Sequence, residues 1–157
     1  VSSSDHLDEF IAQGSAALAA GDLIAASEAT QKGIPVHNLM GLSFVRVDAD
    51  ATVMAMELTD NVKGFATGGI HGGLLATFAD VASATALTGA YDPATHITVT
   101  TDLHVRYYRQ PTAGPLTATA TVVHRGRRLL STECVVADAQ DRVLARSTAT
   151  YMLVPWA

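Results

Sequence analysis

From His71 to Thr88 the chain carries a single charged side chain, Asp80. A helix on a protein surface shows lysine and glutamate on its outer face, and this one shows neither, so its outer face is expected to meet another protein surface. At about 100° per residue, Leu74, Phe78, Val81 and Thr85 fall on one stripe, with Leu75, Ala82 and Ala86 beside it. Gly89 and Pro93 close the segment.

The sequence that follows changes to the period of strands. In 97–109, Ile97, Val99, Leu103, Val105 and Tyr107 alternate with Thr98, Thr100, Asp102, His104 and Arg106, the period of a strand with two unlike faces. Three more strands are predicted at 116–124, 128–137 and 142–154, separated by Gly114-Pro115, Gly126 and the Ala139–Asp141 turn. Upstream, 42–48 and 51–58 read as a hairpin turning near Asp48-Ala49-Asp50, with Thr52, Met54, Met56 and Leu58 on one side, and a loop spans 59–70. One helix followed by strands on short turns is an α+β pattern with an antiparallel sheet. No β-α-β alternation supports a parallel nucleotide-binding sheet.

Residues 5–31 read as one or two short helices, weakened or divided at Gly14 and Gly21 and ended by Gly33 and Pro35. Residues 1–40 are thus an N-terminal helical extension and 41–157 the main domain. A hydrophobic share of 48% in 157 residues suits one domain with a real core. The only cysteine, Cys134, excludes an internal disulfide, and acidic residues at Asp5, Asp8 and Glu9 stand where a signal peptide needs positive charge. A cytoplasmic location is expected, with no membrane span, because no run of 18 residues is wholly apolar. Net charge is −5, split between −7 over residues 1–80 and +2 over 81–157. That balance argues against nucleic acid as a partner.

Candidate chemistry gathers at Gly68-Gly69-Ile70-His71-Gly72-Gly73. The glycines are not a phosphate loop, since no Lys-Ser/Thr follows them. They do open a helix, whose first amides lack intrahelical acceptors and carry partial positive charge. With no side chain at Gly72 or Gly73 to block them, those amides can stabilise a carbonyl oxygen that gains charge during attack. His71 has two readings, a ring bonded to local backbone or an acid–base group. Asp80 is a carboxylate with no base on its own helix, and its helical neighbours Gly73, Thr77 and Ala84 are all small. A face so smooth fits close approach by another surface, most economically a second copy of the chain. The six histidines show no metal-ligand spacing, so no metal is expected. Ser83 lacks the strand–turn–helix setting of a serine nucleophile. Cys134 alternates with Leu130, Thr132 and Val136 and reads as core.

These features together resemble the hotdog-fold acyl-CoA thioesterases, in particular the phenylacetate-pathway type within the 4-hydroxybenzoyl-CoA thioesterase superfamily. The resemblance covers roughly residues 36–154. It rests on His71-Gly72-Gly73 with Asp80 eight residues after the first glycine, and on the strand Thr100-Thr101-Asp102-Leu103-His104-Val105-Arg106-Tyr107-Tyr108-Arg109. Gly126-Arg127-Arg128-Leu129 and the closing strand also fit. It implies an antiparallel sheet wrapped around a central helix, with two subunits joining sheets edge to edge, a shared active site, and pairs assembling to tetramers.

The resemblance assigns Asp80 as general base or nucleophile, the Gly72 amide as donor to the thioester oxygen, His71 as support for that loop and Thr100 as a hydroxyl that helps place water. Gly73 and Phe65 would border the substrate, and Arg106, Arg109, Arg125, Arg127 and Arg128 would meet coenzyme A phosphates. Related enzymes often have asparagine where this chain has Phe65, with Asn61 four residues away. The acyl pocket is expected to be apolar, with Phe65, Phe78, Met54 and Met56 as candidates. The expected activity is hydrolysis of acyl-CoA to free acid and coenzyme A, with no cofactor beyond the coenzyme A of the substrate. The alternative is a hotdog protein that binds acyl-CoA without hydrolysing it; a hydratase lacks a second His/Asp pair for proton transfer at the α carbon.

Overall fold

A computed structural model describes residues 3–31, 33–64 and 68–155, with side chains from residue 8 onward. Three helices come first, α1 (Ser3–Ala19), α2 (Leu23–Gln31) and α3 (Pro35–Met40). The hairpin strands β1 (Leu42–Val47) and β2 (Ala51–Met56) follow, and then the apolar helix α4 (Gly72–Thr85) and a single turn at Thr88–Ala90. The chain ends in β3 (His96–Tyr107), β4 (Leu116–Arg125), β5 (Leu129–Ala137) and β6 (Val143–Pro155).

All six strands join one antiparallel sheet in the order β1-β2-β4-β5-β6-β3. The sheet curls around α4, which touches β2, β3, β4, β5 and β6. This is the hotdog arrangement, with the helical extension added at the N-terminus. Close packing of helix on sheet follows from side-chain size: Ala118, Ala120, Ala145 and Ala149 on the strands are buried, as are Ala79, Ala82 and Ala86 on the helix side. Phe78, Leu75, Met54, Met56, Leu116 and Val136 fill the remaining space. Leu74, expected in the core stripe, is only half-buried, while Ala79 and Ser83 are buried. By length and composition the segment Gly72–Ala90 could cross a membrane, and its place inside the sheet accounts for that apolarity.

Two features depart from the sequence reading. Pro35 does not end the helical extension; it begins α3, standing in its first turn after Ile34, where its fixed φ suits a helix and no amide is needed. In β3 the alternation changes phase. A bulge between Thr100 and Asp102 inserts one residue, so Leu103 and Val105 are half-buried while Ile97 and Val99 are exposed. The bulge thereby turns Thr98 and Thr100, not their apolar neighbours, toward α4.

The extension docks on the far end of α4. Ser27 Oγ lies 3.0 Å from Thr88 Oγ1, and Gln31 Nε2 donates to Thr85 Oγ1 at 2.5 Å. Gly14 lets α1 and α2 close up, since a Cβ there would sit 2.9 Å from Thr30 Cγ2. Gly21, at φ +79°, makes the break between those helices.

Candidate active site

Local sequence explains how α4 begins. His71 is its N-cap, with extended backbone (φ −65°, ψ 129°), and its Nδ1 accepts the Gly73 N–H at 3.1 Å. One ring nitrogen is therefore engaged by local backbone, the contact named in the first of the two readings above. The Gly72 N–H meets no acceptor among the described residues. The carbonyl of Gly72 accepts the Tyr107 hydroxyl at 2.9 Å, which pins the turn to β3. Gly73 is exposed and Gly72 half-buried, with the Tyr107 ring 3.9 Å from where a Cβ would stand.

Asp80 is half-buried. Two hydroxyls hold it. Tyr151 donates to Oδ1 at 2.7 Å and also reaches the Asp80 backbone carbonyl at 3.0 Å. Thr100 Oγ1 donates at 3.2 Å and 3.4 Å to the two carboxylate oxygens, from the strand face that the bulge turned inward. Burial first, and the Asp80 charge second, push the Tyr151 phenol above the ordinary tyrosine range. It therefore stays protonated and remains a donor at neutral pH. Tyr151 was missed in the sequence. The available signal was a tyrosine at a buried strand position, where its hydroxyl must find a partner.

Asp80 also lines a cavity of about 370 Å³ between α4, β3 and the N-terminal helices, and His37 of α3 stands on the same wall. Burial pushes His37 below the ordinary histidine range, while the Gln31 carbonyl and the Asp80 charge act the other way. His37 entered the sequence reading only as one of six histidines without metal spacing. Among the described residues no group of three His, Cys, Asp or Glu side chains is placed to hold a metal ion.

The arginines are not brought together. Arg125 pairs with Asp50 at 2.5 Å and donates to the Ala49 carbonyl, tying β4 to the first hairpin turn. Arg127 and Arg128 sit in the β4–β5 turn, where the Arg128 carbonyl accepts from Leu153, two residues from Tyr151. Arg106 lies opposite Arg146, six residues along β3 from Thr100, about 20 Å away. Arg109 lies beyond it. Phe78, Met54 and Met56, expected at an acyl pocket, are fully buried core residues, and Met54 borders a separate cavity of about 310 Å³. Phe65 lies outside the described residues. Cys134 is buried with Leu130, Thr132 and Val136, and burial pushes its thiol up to about 12.

Comparison with known proteins adds a family. The thioesterase superfamily matches residues 67–145, just over half of the chain, from the glycine turn through β6's first residues. Solved structures share the fold. A mutant thioesterase from Pseudomonas aeruginosa is 20% identical with a TM-score of 0.76, covering 85% of this chain and 94% of its own. A thioesterase family protein from Silicibacter pomeroyi is 20% identical with a TM-score of 0.76, covering 87% and 98%. A thioesterase from Haemophilus influenzae is 18% identical with a TM-score of 0.70, covering 76% and 82%. A comparison with curated protein sequences gave no match. The chain belongs to the thioesterase superfamily.

Proposed function

We propose that the protein hydrolyses acyl-CoA thioesters to a free acid and coenzyme A, in the manner of the phenylacetate-type hotdog enzymes. Family membership supports thioester chemistry in general. The observation that carries the finer reading is the Asp80 carboxylate, held by Tyr151 and Thr100 at the edge of a cavity. In this reading Asp80 takes a proton from water as the water oxygen attacks the thioester carbon. The carbonyl oxygen gains charge against the Gly72 N–H, and the intermediate collapses with loss of the coenzyme A thiolate, which is then protonated. Thr100 and Tyr151 orient the carboxylate, His71 holds the amide turn, and Gly73 borders the substrate. Direct attack by Asp80 would give a mixed anhydride instead, and label found in Asp80 after a single turnover in ¹⁸O-water, from water opening the anhydride at the aspartyl carbonyl, would identify that route.

Geometry supports a site shared between two copies. Gly72 and Asp80 are eight residues apart on α4, about 12 Å along its axis, too far for one thioester to engage both within a chain. β3 is an edge of the sheet with Ile97 and Val99 exposed, and a long unpaired edge invites a second copy. The reading therefore includes a homodimer, with tetramers built from it, and a cytoplasmic setting free of nucleic acid and membrane. Arg106, Arg109, Arg127 and Arg128 are its candidates for the coenzyme A phosphates, and Arg125 only if it releases Asp50.

The test is thiol release from a panel of aromatic and medium-chain acyl-CoAs. Asp80→Asn is expected to lower kcat about 10²- to 10⁴-fold with the fold intact. Equal rates in the two proteins would remove Asp80 from the mechanism. Tight acyl-CoA binding with no thiol release from any substrate would make the protein a binding module.

A further inference from the structure

Gly72 and Gly73 are adjacent glycines in the first turn of α4, where backbone freedom is greatest and a helix frays. An amide that is to meet a charged oxygen must nevertheless keep one direction. The hydrogen bonds around the turn show how that direction is held. Before Gly72, the His71 N–H donates to the Val62 carbonyl at 2.9 Å, and the His71 carbonyl accepts the Leu75 N–H at 3.1 Å. After it, side chains take both ends of the Gly72–Gly73 peptide. His71 Nδ1 accepts the Gly73 N–H at 3.1 Å, and the Tyr107 hydroxyl donates to the Gly72 carbonyl at 2.9 Å. With the peptide on each side held, neither backbone torsion of Gly72 is left to turn. Its own N–H, which has no acceptor among the described residues, then keeps a single aim.

Three of those four bonds are local, and the fourth crosses 35 residues to the end of β3. That end is itself anchored. Tyr107 stands opposite buried Ala145 of β6, and the next amide, of Tyr108, donates to the Leu144 carbonyl at 2.8 Å. Further along, the Gln110 side chain lies so close to Gly69 that a Cβ there would overlap Gln110 Oε1. The end of β3 thus grips the glycine turn at two points, one before His71 and one after it. Tyr107 is half exposed, so core packing is a poor account of a tyrosine at this position, and its hydroxyl bond is a better one.

We propose that Tyr107 is a positioning residue for the reaction: by holding the Gly72 carbonyl, its hydroxyl keeps the Gly72 N–H aimed where the thioester oxygen gains charge. Tyr107 touches no reacting atom in this assignment and acts through the glycine backbone. The inference rests on the proposed acyl-CoA reading for the oxyanion, and on the hydrogen bond alone for the tether. Its weight falls on rate more than on stability, because a misplacement of about 1 Å can cost about a hundredfold.

Tyr107→Phe keeps the ring and removes the donor. Two measurements on the full chain, with folding checked by circular dichroism, test the assignment. The first needs no substrate: ¹⁵N relaxation of the Gly72 and Gly73 amides. Their order parameters are expected to fall from about 0.85 toward about 0.6 in Tyr107→Phe. Amides as rigid as before would overturn the tether. The second is kinetic. Tyr107→Phe is expected to lower kcat for acyl-CoA hydrolysis about tenfold, with KM changed by less than about twofold. Gly72→Pro has no N–H to aim, and its residual rate, about 10²- to 10³-fold down, is still measurable. In that background the tyrosine change should cost less than about twofold. An equal loss in both backgrounds, or no loss in either, would overturn the assignment, because a tie that merely steadied the fold would act alike with and without the amide. If the unaltered protein releases no thiol from any acyl-CoA, the acyl-CoA reading falls, and the relaxation measurement still upholds or overturns the tether.

Discussion

Asp80 brings a charge to a half-buried wall, and two hydroxyls make that tolerable. The shorter bond, 2.7 Å from Tyr151, is charge-assisted and comes from a residue 1% exposed. Tyr151→Phe keeps the ring and removes the donor, so the expected loss is about 2 kcal/mol of stability at neutral pH, measured by urea unfolding. With its carboxylate free to turn, the variant should also lose about ten- to a hundredfold in kcat, with KM little changed. The pH dependence has a definite sign. The folded-state phenol titrates above the unfolded one, so its stabilisation is complete below about pH 10 and is lost as pH rises beyond that. Unfolding midpoints taken at pH 8 and pH 11 should therefore fall less steeply in Tyr151→Phe than in the unaltered protein. An unchanged slope would mean that Tyr151 is not the group responsible.

The start of α4 shows where sequence reading stops. That a helix begins after His71 was legible from the glycines and the apolar period, and so was the carboxylate two turns on. Which role His71 plays was not, because a ring that accepts from Gly73 and a ring that moves protons need the same residue at the same place. Substitution separates them. His71→Ala should cost about 1 kcal/mol as a lost cap, and His71→Asn should recover most of that, since asparagine caps well. If capping is the whole role, thiol release recovers with stability in the asparagine variant; recovery of stability alone would restore an acid–base role. The phase change in β3 was hidden for a different reason. Its apolar residues keep to the odd positions on both sides of the polar run Thr100-Thr101-Asp102, and the bulge within that run shows only in the pairing with β6. That one inserted residue decides that Thr100, and not Val99, reaches Asp80. Tyr151's role was hidden on the same ground, because Asp80 lies 71 residues away in sequence, and His37 shares a cavity with Asp80 only once the extension has docked.

At the scale of the molecule, the separation of Gly72 from Asp80 along one rigid helix is the fact with the widest consequence. In the proposed reading it makes a single chain half of two sites, and that can be tested by mixing two inactive proteins. Gly72 is the first residue of α4, where proline is compatible with the helix yet has no N–H to give. His71 already has the extended backbone that a following proline demands. Gly72→Pro should thus fold, pair and lack the oxyanion donor, while Asp80→Asn folds, pairs and lacks the base. Unfolded together and refolded as a mixture, half the dimers carry one chain of each kind. In those, the site combining Asp80 of the proline variant with Gly72 of the asparagine variant is whole, and the other has lost both groups. The mixture should recover about a quarter of the activity of the unaltered protein, against almost none for either variant alone. A site contained within one chain predicts no recovery at any ratio.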